Sequence, residues 1–152
     1  QTDAVVKETL VQVWRRFGEI RRHPNPSALL LRIGTQRALD HLRRRKARAA
    51  LARGVSAESG PPPETPVERA AQNERRERIL SFISRLPARE AEAITLHALE
   101  ELSYAEAAAA MGCREVTVRV LVGRARKRFH ASRAAAERSG VPGATGAQSQ
   151  AD

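Results

Sequence analysis

The stretch from Leu102 to Phe129 constrains the fold more than any other part of the chain, because it carries start, turn and restart signals for two helices within a short span. Ser103 is placed to cap a helix, and Glu106, three residues on, is placed to reach back to the Ser103 N–H, the spacing of a capping box. Tyr104 to Ala110 is a run of strong helix formers, and Gly112 follows where the chain must turn with positive φ. In the next segment Val118, Leu121, Val122, Ala125 and Phe129 recur at helical spacing as one apolar stripe. The other side carries Thr117, Arg119, Arg124, Arg126, Lys127 and Arg128, with Val116 and Val120 between them. A helix-turn-helix is predicted. Cations flanking small apolar side chains suit a DNA major groove: the cations hold phosphates or guanine edges, and the small residues allow close approach and contact with thymine methyls.

Charge points the same way. The 152 residues carry a formal net charge of +10, and a chain this basic most often meets a polyanion, nucleic acid before a membrane surface. Only 3% of residues are aromatic, so one modest core or two small ones are expected. The single cysteine, Cys113, excludes an internal disulfide and is expected to be a small buried thiol at the turn. His23, His41, His97 and His130 are scattered without ligand spacing, so neither a metal nor any other cofactor is expected. No secretory signal, transmembrane run or lipidation motif is visible, which predicts a cytoplasmic protein that does not engage a membrane. The sequence starts at Gln1 inside a helical pattern, as a fragment lacking its natural N-terminus would.

Along the chain, Val6, Leu10, Val13 and Phe17 predict an amphipathic helix over 3–20, with Trp14 beside the apolar stripe. Pro24 and Pro26 end it, and Ser27 is the expected cap of a long second helix that starts with Leu29, Leu30 and Leu31 and continues through Ile33, Ala38, Leu39 and Leu42. That helix ends in a basic run, Arg43, Arg44, Arg45 and Lys46, with Arg32 and Arg37 before it, Arg48 and Arg53 beyond, and Asp40 as the single acid among them; phosphate contact is the expected role. Residues 54–66, rich in Pro, Gly, Ser and Glu, read as an extended linker. A helix from Val67 to Arg85 should bury Ile79, Leu80, Ile83 and Leu86, and the next, opened by Pro87, should pack through Ala91, Ile94 and Ala98. The tail, 134–152, is small, polar and Gly-rich towards its end and is expected to be disordered. The fold class is therefore all-α, with two small helical modules, 1–53 and 67–133, joined by the linker.

The residues resemble the extracytoplasmic-function (ECF) group of the bacterial RNA polymerase sigma-70 family. Glu8-Thr-Leu-Val-Gln-Val-Trp-Arg-Arg16, Leu30, Arg32-Ile33 and Ala38-Leu-Asp-His-Leu-Arg-Arg-Arg45 look like its region 2. Leu86-Pro-Ala-Arg-Glu90, Leu102-Ser-Tyr-Ala-Glu106 and the stretch through Arg124-Ala-Arg126 look like its region 4. The likeness implies a transcription-initiation factor that binds core RNA polymerase and directs it to promoter DNA, region 2 opening the −10 element and region 4 reading the −35 element, with an anti-sigma factor as a further partner. It implies DNA contacts at Arg114, Thr117, Arg119, Val120, Arg124, Arg126 and Lys127, and at Arg37, Arg43, Arg44, Arg45 and Lys46. It implies polymerase contacts at Glu8, Leu10, Trp14 and Arg15, and no small-molecule substrate. Where the family usually has an aromatic pair ahead of Arg32-Ile33, this chain has Leu29 and Leu31, which offer no flat face to an unstacked base.

Two other readings compete. A free-standing helix-turn-helix regulator would need a dimerisation helix, and the sequence shows none. Non-specific nucleic-acid binding by charge alone does not account for two basic modules and a well-formed capping box. An enzyme is not expected, since no Ser/His/Asp set, phosphate loop or metal-ligand cluster is present.

Overall fold

The computed structural model describes residues 2–52 and 66–140. Among them the chain is all-α: α1 Thr2–Arg15, α2 Phe17–Arg22, α3 Pro26–Leu51, α4 Pro66–Arg85, α5 Ala88–Ile94, a π-helical turn Thr95–Leu99, α6 Tyr104–Met111 and α7 Glu115–Arg138. Residues 54–65 of the expected linker lie outside the described residues, and Pro66 already opens α4. The expected disordered tail begins too early, because α7 continues through Arg138; residues 141–152 lie outside the described residues.

The first expected helix is two helices. Arg16 leaves helical geometry at φ −101° and ψ 12°, and its guanidinium grips Glu19 through Nε and Nη2 at 2.8 and 2.6 Å. Hydrogen bonding to Arg16 holds the Glu19 carboxyl below the usual carboxylate range. The buried side of α1 agrees with the expected stripe only at Val13. Val5, Thr9 and Val13 turn towards the protein, while Val6, Leu10 and Phe17 stay exposed together with Val11 and Trp14. Val13 packs on Ile20, Leu29 and Ile33, and the kink at Arg16 is what turns Ile20 inward. The cap of α3 is Asn25 rather than Ser27: Asn25 Oδ1 accepts the Ala28 N–H at 3.1 Å, and Pro26 takes the first helical position, where a missing N–H costs nothing.

The C-terminal helices enclose two apolar clusters. One joins Ala93, Leu96, Ala107, Ala108, Met111, Val118 and Val122; the other joins Ile83, Leu86, Ala91 and Ala125 with Leu39 of α3. Ala98, expected in this packing, is exposed. The π-helical turn widens the helix by one residue and so rotates the stripe, bringing Leu96 to 0% exposure in its place.

Helix α3 spans the two halves. Its Leu29 and Ile33 close the N-terminal cluster, Leu39 enters a C-terminal cluster and Leu31 lies against the other. Polar contacts reinforce this packing. Arg32 Nε pairs with nearly buried Glu92 Oε1, its Nη1 donates to the Ala110 carbonyl at 3.2 Å, and Gln36 Nε2 donates to Glu92 Oε1 at 3.4 Å. His23 Nε2–H donates to the Ala109 carbonyl at 2.9 Å, and its Nδ1 accepts the Asn25 N–H at 3.0 Å. No helix among the described residues is long and apolar enough to cross a membrane.

Candidate nucleic-acid interface

Helix α6 starts and stops on its own local signals. Ser103 Oγ accepts the Glu106 N–H at 3.1 Å while Glu106 Oε2 accepts the Ser103 N–H at 2.8 Å, completing the capping box. At the other end Gly112 adopts φ 64° and ψ 37°; Cys113 N–H reaches the Ala108 carbonyl at 3.1 Å, and Gly112 N–H the Ala109 carbonyl at 3.4 Å. This closing pattern of left-handed glycine with paired back-bonds fixes the exit direction, and so the start of α7. Cys113 is half-buried rather than buried.

Val118, Val122 and Ala125 point α7 into the core at 0–1% exposure, which fixes the opposite side outward. There Val116 and Val120 are 65% and 48% exposed, with Lys127 two turns further along the same line. At helical spacing Thr117 and Arg124 flank this line on one side and Arg119 and Arg126 on the other; exposed Arg114 stands at the N-cap, without a capping side-chain bond. These expected contact residues therefore share one surface. Arg128 does not join them, since its Nε lies 2.9 Å from Oε2 of nearly buried Glu90.

The cations expected on α3 are disposed differently. Arg43 Nη2 donates to the Leu86 carbonyl at 3.2 Å, and Arg45 Nη2 lies 3.3 Å from Glu77 Oε1, so both are engaged by the C-terminal half. Arg44 is exposed and Arg37 half-buried. Burial, and then the nearby Arg85 charge, hold Lys46 below the ordinary lysine range. Leu29 is 2% exposed within its cluster and is therefore a core residue. On α1, Leu10 and Trp14 are 62% and 81% exposed, and Glu8 and Arg15 are exposed on the same helix.

Two side chains at this surface escaped the sequence reading. The rings of His97 and Tyr104 stack with centroids 4.1 Å apart and planes 17° from parallel, and the Arg119 guanidinium carbon lies 4.5 Å from the Tyr104 centroid. Arg119 Nη2 also donates to Glu115 Oε1 at 2.7 Å. Tyr104 read as part of a helix-forming run and of the region 4 resemblance, with no contact role of its own, and nothing in the linear spacing announces that the π-helical turn carries His97 onto it.

The sequence model of the family described as sigma-70, region 4, matches residues 76–129. Among solved structures the chain is similar to the sigma factor RpoE from Bartonella quintana, determined in complex with the anti-sigma factor NepR. The two share 28% identity over 83% of this chain and 76% of that one, with a TM-score of 0.50. No curated protein matches the chain.

Proposed function

We propose that this chain, which belongs to the extracytoplasmic-function group of the sigma-70 family, binds core RNA polymerase and directs it to promoters by recognising −10 and −35 DNA elements. Members of that family are DNA-binding regulators of transcription rather than enzymes. The observation that carries the reading is the outer side of α7: a narrow apolar line through Val116 and Val120, flanked by Arg119, Arg124 and Arg126, on a helix held by a capped partner within the region that matches the family. In this reading Arg114, Thr117, Arg119, Val120, Arg124, Arg126 and Lys127 face duplex −35 DNA, the cations holding phosphates and base edges.

Arg37, Arg43, Arg44, Arg45 and Lys46 then face the −10 element. Arg43 and Arg45 must first leave the Leu86 carbonyl, between α4 and α5, and Glu77 on α4, so the halves separate when promoter DNA is engaged. The exposed side of α1, with Leu10 and Trp14 bordered by Glu8 and Arg15, serves as the polymerase contact. An anti-sigma factor is proposed as a further partner, supported by the complex in which the similar sigma factor was determined.

Co-elution tests the reading. The chain is expected to co-elute with core RNA polymerase, and Trp14→Ala is expected to weaken that association while leaving binding to −35 duplex intact. Failure of the unmodified chain to associate with core polymerase would contradict the proposal.

A further inference from the structure

The Tyr104 ring has two faces, and the structure fills both. His97 lies nearly parallel at 4.1 Å, which leaves no room for a guanidinium on that side; the Arg119 guanidinium, 4.5 Å from the centroid, therefore occupies the other. Each member is fixed from behind. His97 Nδ1–H donates to the Leu102 carbonyl at 2.8 Å, which locks the imidazole in the middle of the π-helical turn. Tyr104 is the first residue of α6, directly after the Ser103 cap, and is half-buried against the cluster around Leu96 and Val118. Arg119 stands on α7 beside the apolar line. Nothing within the fold requires a planar cation at so exposed a place, where a lysine would stay solvated without stacking.

We propose that Tyr104, backed by His97, is a positioning residue that sets the plane of the Arg119 guanidinium for hydrogen bonding to base edges in the major groove. The inference rests on the reading of α7 as the duplex-facing helix and adds to it the device that orders one contact in advance. Stacking takes up the face of the guanidinium and leaves its edge for hydrogen bonds. Glu115 occupies Nη2 in the free chain, so Nη1 and Nε stay available for a purine acceptor while the Glu115 contact exchanges. An arginine ordered before binding loses less side-chain freedom on contact, which favours discrimination between bases over plain attraction to phosphate.

The test uses the full chain and two readouts. In the free protein the Arg119 side-chain N–H protons should be shifted upfield by the Tyr104 ring current. Tyr104→Phe should keep that shift, and Tyr104→Met, which preserves bulk without a π-face, should abolish it. The binding probe is the duplex that the unmodified chain selects most strongly from a randomised pool, measured against a scrambled duplex. Tyr104→Met should weaken binding to the selected duplex about fivefold and leave the scrambled one nearly unchanged, as expected for loss of a solvent-exposed cation–π contact. Tyr104→Phe should match the parent, and in an Arg119→Ala background Tyr104→Met should have no further effect. Should the Met variant lose its cooperative melting transition, the ring-current shift of Arg119 in the parent and Phe proteins decides instead. An unshifted Arg119, or a full Tyr104→Met effect in the Arg119→Ala background, would overturn the positioning role while leaving the reading of α7 intact. An Arg119→Ala protein that binds the selected duplex as tightly as the parent would overturn the contact itself.

Discussion

In the C-terminal half Ala93, Leu96, Ala107 and Val118 are each 0% exposed, whereas in the N-terminal half the buried cluster is Ile20, Leu29 and Ile33, and Trp14 of α1 stays 81% exposed. Among the C-terminal helices α6 carries a full set of local signals, a capping box at its start and left-handed Gly112 at its end, and prolines open α4 and α5. Small side chains on α5, α6 and α7 then allow close packing around Leu96 and Val118. The N-terminal helices have fewer such marks and a smaller core, and they keep their place because α3 is shared: one side closes their cluster and another enters the C-terminal clusters. A half with its own core suits reading duplex DNA as a rigid body. A half that borrows its partner's core is one that can be remodelled when another partner competes for the same surfaces, as the proposed function requires.

The largest expected effect breaks the link between the halves. Glu92→Ala leaves Arg32 unpaired in a largely buried position and should lower the stability of the full chain by about 3–5 kcal/mol in urea unfolding. Replacing Arg32 and Glu92 together by apolar residues of similar volume should recover most of that loss. A cost below about 1 kcal/mol would mean that the pair does not couple the halves.

A matched pair of leucines sharpens the contrast. Leu96→Ala, in the C-terminal core, should cost about 2–5 kcal/mol, whereas Leu10→Ala on the outer side of α1 should stay within about 0.5 kcal/mol. Similar losses at both would remove the distinction between a packed half and a docking half. A third substitution has the opposite sign. Gly123 interrupts α7 where an added Cβ would meet no atom within 4 Å, so Gly123→Ala should raise stability by about 0.5–1 kcal/mol. A destabilised Gly123→Ala protein would reveal a backbone constraint in α7 that its helical geometry does not show.

The two halves were also unequally legible in sequence. Ser103, Glu106 and Gly112 encode their geometry locally, and that part of the fold follows from spacing alone. The exposed line through Val116 and Val120 on α7 was likewise readable, because Val118, Val122 and Ala125 fix its opposite side. On α1 periodicity misled, since the helix carries more apolar residues than its neighbours bury and Val6, Leu10 and Phe17 make a better stripe than the true one through Val5, Thr9 and Val13. The π-helical turn was invisible for a related reason: one added residue changes the phase of the stripe without changing its composition, which exposes Ala98 and buries Leu96. The Arg32–Glu92 pair joins residues distant in sequence that only the packing of α3 on α5 brings together, and the Tyr104 stack depends on the π-helical turn at His97 and on the approach of α7 to α6.

Mapping the 5′ ends of transcripts made by core RNA polymerase with and without this chain, on a library of random DNA fragments, tests most directly whether it confers promoter specificity. The account predicts discrete new start sites that share two upstream sequence elements, with the more distant element changed or lost when Arg119 and Val120 are replaced. Start sites that are unchanged by the chain, or a shared upstream element that ignores the outer side of α7, would contradict it.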